Sequence, residues 1–183
     1  IASCLAVQNT LDGFGAEADC VLVDCTARGN ANRGIHGGDG VGIRSSLVAS
    51  NTTGGLVLGN RASVIETKAQ GNGQEGIRVG ESSTASGCSS QKNGTTGIAG
   101  GIRCAVFDCL AADNLGAGIS LDARARVTDC QVQANTLGGI QTGAGSTVSG
   151  CTVEGNAGGG IQVSADWRVR GRQGAGNTGL GFH

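Results

Sequence analysis

Three arginine–carboxylate pairs recur at one five-residue spacing: Arg61 with Glu66, Arg103 with Asp108, and Arg124 with Asp129. Asp108 and Asp129 are separated by the same interval as Arg103 and Arg124. Two carboxylates brought together repel unless a cation or guanidinium lies between them, which describes a Ca2+ site or a clamp for a uronate carboxylate. The plainer reading is a row of solvated ion pairs, each worth little. His36 offers a base and Arg78 a carboxylate clamp. Gln131, Gln133 and Thr152, with Gln141 and Gln162, make a polar run whose amides and hydroxyl could bond sugar hydroxyls, or simply face water.

What must position these side chains is a repeat. Asparagine recurs at Asn9, Asn30, Asn51, Asn72, Asn93, Asn114, Asn135, Asn156 and Asn177, with one constant 21-residue interval. Four residues after each stands a glycine, from Gly13 to Gly181, and then a large apolar residue, from Phe14 and Ile35 to Ile161 and Phe182. A fixed period of this length marks a solenoid, in which each unit buries its apolar side only against its neighbours. Eight residues before each Asn the column reads Ile1, Leu22, Ile43, Val64, Ala85, Val106, Val127, Val148 and Val169, so it faces inward. Five before it stand Cys4, Cys25, Ser46, Thr67, Cys88, Cys109, Cys130, Cys151 and Arg172, a site for a small plug. Each unit thus carries three short segments with inward residues at alternate positions, separated by Gly-, Asn- and Ser-rich corners, which is strand-and-turn chemistry. Stacked about 4.8 Å apart, the asparagine amides can bond along the stack as a ladder. Asn also tolerates the left-handed region, and the glycine supplies either a positive φ or a close backbone approach. His36 and Arg78 fall two repeats apart, about 9.6 Å, too far for direct coupling.

The pattern of an inward Cys or Val, then Asn, then Gly-Ile, as in Cys130, Asn135, Gly139 and Ile140, resembles the right-handed parallel β-helix proteins of the pectate-lyase-like superfamily. The resemblance covers essentially the whole chain. It implies an all-β fold, a right-handed parallel β-helix (solenoid) of about nine 21-residue coils with three short strands per coil, in one domain over 1–183 that reads as a segment of a longer chain. Enzymes of that class are similar to one another in building a cleft from long loops, with carboxylates, often Ca2+, and a base beside a uronate. Here the interval never varies and no coil carries an insertion.

Composition narrows the partners. A net charge of −1, three Phe, one Trp and no Tyr argue against nucleic acid, which calls for a basic, aromatic-bearing face. No membrane span is expected. Six of the eight cysteines share one column, where inward thiols act as small hydrophobes; Cys20 and Cys104 lie in another. The sequons at Asn51 and Asn93 belong to the inward ladder, which discounts glycosylation. An ice-binding face needs one residue type repeated outward, and the columns through His36 and Thr26 are heterogeneous. Arg172 and Gly174, with Trp167 and Phe182, read as a partial C-terminal cap. The first coil is left open to end-to-end self-association, or to a missing flanking domain.

The expectation is a non-catalytic structural or carbohydrate-contacting segment of a secreted or cell-surface protein. The alternative is a fragment of a polysaccharide lyase or hydrolase acting on an acidic polysaccharide, with Asp108, Asp129, Arg103, Arg124 and His36 as catalytic candidates. Asp108 and Asp129 are then the only candidates for a metal, Ca2+, and no other cofactor is expected.

Overall fold

The computed structural model of the chain describes residues 1–166, 168–171 and 173–179. Twenty-five short strands, all paired in parallel, form three sheets that share one core. Sheet 1 has nine strands, from Leu5–Val7 to Gln173–Ala175; sheet 2 has eight, from Phe14–Ala16 to Gly159–Val163; sheet 3 has eight, from Val21–Val23 to Arg168–Arg170. Every partner lies one full repeat away, as in Leu22 with Ile43 and Ile77 with Ile98. The described residues therefore complete eight turns of the coil. Trp167, Arg172, Gly181, Phe182 and His183 lie outside the described residues.

The sheets differ in which residues face inward. In all but its last strand, each of sheets 1 and 3 buries the central residue, Ala27 and Leu22 in the second coil. Sheet 2 buries the two flanking residues, Ile35 and Gly37, and turns His36 outward. Stacked in register, the columns through Leu22, Ala27, Ile35, Val41 and Cys25 form a continuous apolar core. Each fully buried Ile or Leu contributes about 1.5–3 kcal/mol of transfer free energy, and a coil gains it only by lying on another.

Three bends close each turn, and each uses one residue with positive φ. Between sheets 3 and 1 the bend falls at Asp24, Ser45, Glu66, Gly87, Asp108, Asp129 and Gly150; between sheets 2 and 3, at Asp19, Gly40, Arg61, Ser82, Arg103, Arg124 and Gly145. The third precedes the asparagine, at Gln8, Gly29, Ser50, Gly71, Lys92, Asp113 and Ala134. None of the ladder asparagines has a positive φ, so their left-handed tolerance is not what selects them.

Hydrogen bonding selects them. Asn114 donates from Nδ2 to Asn135 Oδ1 at 2.9 Å and to the Ser90 carbonyl at 3.1 Å. Its Oδ1 accepts the Asn93 backbone N–H and Asn93 Nδ2, both at 3.0 Å. The same bonds recur from Asn9 through Asn177. The glycine column follows from the ladder. A Cβ on Gly97 would sit 2.6 Å from the Gly118 carbonyl oxygen and 2.7 Å from Asn114 Nδ2. Of the two reasons expected for these glycines, close approach is the one that operates. Asn51 and Asn93, the sequon asparagines, are buried in the ladder.

Candidate functional site

The sequence-derived candidates divide among three faces. Arg103 and Arg124 occupy the bend before their sheet 3 strands, and Asp108 and Asp129 the bend after them. Five residues at about 3.3 Å each put the charges of a pair on the order of 15 Å apart, at opposite edges of sheet 3. The row of Arg–Asp ion pairs read from the sequence is therefore not formed. Arg103 turns back one coil instead: its Nη2 lies 3.5 Å from Glu81 Oε2 and its Nε donates to Ser82 Oγ at 3.2 Å. Arg61 likewise meets Asp39 at 3.8 Å. The side-chain types at these bends answer partly to backbone conformation, since Asp accepts positive φ at lower cost than most residues.

Asp108 and Asp129 do line one hollow of about 340 Å3 together with Gln131. Gln131, Gln133 and Thr152 lie on sheet 1, whereas Gln141 and Gln162 lie on sheet 2, so the polar run is split between two faces. Among the described residues no three His, Cys, Asp or Glu side chains converge as metal ligands.

The larger concavity is on sheet 2. Its outward column runs in register through Gly15, His36, Val57, Arg78, Ala99, Ser120, Gln141 and Gln162. His36 is exposed between Gly15 and Val57, with Asp12 close enough for the two charges to interact and Arg33 already paired to that carboxylate. Higher up, short residues at Ala99, Gly100 and Gly101 floor a groove of about 770 Å3 walled by Glu75, Arg78 and Glu81. Ser120 and Asp122 close its far end and open a second hollow of about 290 Å3 that continues past Gln141 and Gln162. The two make one furrow parallel to the coil axis. Arg78 is held toward Glu75 at 3.7 Å, so the furrow presents a guanidinium, carboxylates, a hydroxyl and two amides in sequence.

Sequence reasoning did not single out Glu75, Glu81 or Asp122. The signal was the dip in side-chain size at Ala99 between Arg78 and Ser120. It also passed over Phe107, half-buried on the outer face of sheet 3 between Ser86 and Thr128.

Parallel sheets, an inward asparagine column and three bends per turn define the architecture, and residues 35–169 match the family described as right handed beta helix region. The chain belongs to that family. Among solved structures, this right-handed β-helix is similar to the A-module of mannuronan C-5 epimerase AlgE6 from Azotobacter vinelandii, at 18% identity and TM-score 0.64, covering 95% of this chain and 57% of that one. It is also similar to a mutant of the periplasmic alginate epimerase AlgG, at 17% identity and TM-score 0.75, covering 88% and 47%. A third is tailspike protein 2 of Escherichia coli O157:H7 bacteriophage CAB120, at 14% identity and TM-score 0.73, covering 90% and 29%. At these identities the likeness is one of fold. The β-helix spans between 29% and 57% of the length of these structures. No curated protein matches the sequence. Among the described residues, no helix is long and apolar enough to cross a membrane.

Proposed function

We propose that the chain is a non-catalytic, glycan-contacting β-helix segment of a secreted, periplasmic or surface-exposed protein, and that it receives a polysaccharide in the furrow of sheet 2. The observation carrying this reading is the furrow itself, whose outward side chains from Arg78 to Gln162 repeat once per coil, at about 4.8 Å, along the direction an extended chain would lie. The similar solved structures named for mannuronan and alginate epimerases support a saccharide partner.

Charge refines the ligand class. Arg78 beside Glu75 and Arg103 beside Glu81 leave Asp122 as the carboxylate in excess, a balance that repels a polyuronate but accepts hydrogen bonds from neutral sugar hydroxyls. A neutral polysaccharide is therefore the preferred ligand over an acidic one. The non-catalytic reading rests on the unbroken spacing of the repeat, which leaves no inserted loops to build and dry an active-site cleft.

Affinity electrophoresis against a panel of neutral and acidic polysaccharides tests this. Retardation by a neutral glycan should fall at least tenfold in Gln141→Ala/Gln162→Ala and Arg78→Ala, with the glycan recovered uncut. A second face is favoured by Phe107, an aromatic platform among the hydroxyls of Ser86 and Thr128; loss of binding in Phe107→Ala, with the furrow variants unaffected, would move the site to sheet 3.

A further inference from the structure

Cys88, Cys109, Cys130 and Cys151 occupy the bend between sheets 3 and 1 in four successive coils, and all four are buried free thiols. Each donates its S–H to the carbonyl two residues before it, Ser86, Phe107, Thr128 and Ser149, at 3.1–3.4 Å. Each also approaches the carbonyl 24 residues before it, that of Val64, Ala85, Val106 or Val127, at 3.5–3.8 Å. Repeated partners mean repeated rotamers. The four sulfurs are therefore related by the coil rise and lie in a line parallel to the axis. Cys109 Sγ sits beneath the backbone N–H of Cys88, at 3.4 Å, so sulfur lone pairs point along that line.

We propose that this thiol column is a binding site for soft monovalent cations of the Cu(I) and Ag(I) type, each held in line between the sulfurs of two successive coils. At the scale of the zinc–thiolate bond, about 2.3 Å, a straight sulfur–metal–sulfur unit is about 4.6 Å long, against a coil rise of about 4.8 Å. Thiolate donors select soft ions of this class. The parallel vectors that disfavour a disulfide between rungs leave the sulfurs at the separation two-coordination needs. Four thiols make two such sites, Cys88 with Cys109 and Cys130 with Cys151. Cys4 and Cys25 are also successive rungs, and make a third, partly exposed one.

The site exchanges two protons per ion. Both S–H bonds break, their protons go to solvent, and the two sulfurs bind the cation as thiolates. The unit carries one negative charge, toward which the Cys88 backbone N–H on Cys109 Sγ is directed.

Two variants with the same number of thiols test the proposal. Cys109→Ser/Cys130→Ser leaves no two neighbouring cysteines among rungs 88 to 151. Cys20→Ser/Cys104→Ser removes the two thiols outside the column and leaves it intact. Serine suits the column, since Ser46 occupies it natively. Ag(I) is titrated into the reduced full-length chain in chloride-free buffer, and is also added during refolding so that burial cannot block entry. The parent and the Cys20/Cys104 variant should each bind two more ions than the Cys109/Cys130 variant, with two protons released per ion and a two-sulfur, linear silver site by X-ray absorption. Equal stoichiometry in the two variants, or silver bound by three or more sulfurs, would overturn the proposal. So would the absence of bound silver in the parent by either route.

Discussion

An interior asparagine of the ladder spends all of its hydrogen-bonding capacity on neighbouring coils, and Asn114 is completely buried while doing so. Removing its amide strands the Asn93 N–H and takes a donor from the Ser90 carbonyl, while Asn135 Oδ1 keeps the backbone N–H of residue 114. Asn114→Ala should therefore cost about 1–3 kcal/mol, read as a lowered denaturant midpoint, whereas Asn9→Ala, at an exposed rung, should cost distinctly less. Equal losses would contradict a cooperative ladder. A second residue-scale expectation concerns pH. Burial raises the pKa of Asp12, but the Arg33 side-chain and backbone hydrogen bonds and charge outweigh it and hold the carboxyl below its ordinary value. A depressed folded-state pKa gives stability that is present above the unfolded value, near 4, and lost as pH falls through the folded one. Asp12→Asn should flatten the acid limb of the stability curve below about pH 4 and leave the neutral-pH behaviour of distant coils unchanged. The partial exposure of the pair keeps the effect modest.

At the scale of the element, glycines divide by what stands over them. Gly97 lies beneath the ladder, and Gly97→Ala must displace either the Gly118 carbonyl or the Asn114 amide. Gly15, on the outer face of sheet 2, has nothing within 4 Å of an added Cβ and no positive φ. Thermal melts should show Gly97→Ala clearly destabilised and Gly15→Ala unchanged or stabilised by about 0.4–1 kcal/mol through the unfolded chain. The reverse order would refute the close-approach account. This is also where legibility from sequence ends. The Asn and Gly columns fixed the period, the inward positions and the ladder, because each has one physical solution. The three positive-φ bends were hidden because Ser, Asp, Glu, Arg, Lys, Gln, Ala and Gly all fill them. Arg103 and Asp108 therefore looked like partners, when they mark the two ends of one strand. The sheet 2 furrow was hidden for a different reason. A hollow depends on side-chain size relative to neighbours one coil away, and Ala99 is unremarkable except between Arg78 and Ser120.

For the molecule as a whole, the regular coil turns one outward residue per turn into a line of contacts along the axis. A rod of eight turns is about 38 Å long, and the furrow occupies its middle and upper coils on a single face. The most direct test is an amide chemical-shift map of the isotope-labelled chain titrated with the polysaccharide that retards it most strongly. The account predicts perturbations concentrated at Arg78, Gly100, Ser120, Gln141 and Gln162, with sheet 1 and sheet 3 nearly silent. Perturbations centred on Phe107 and Thr128, or none with any glycan of the panel, would contradict it.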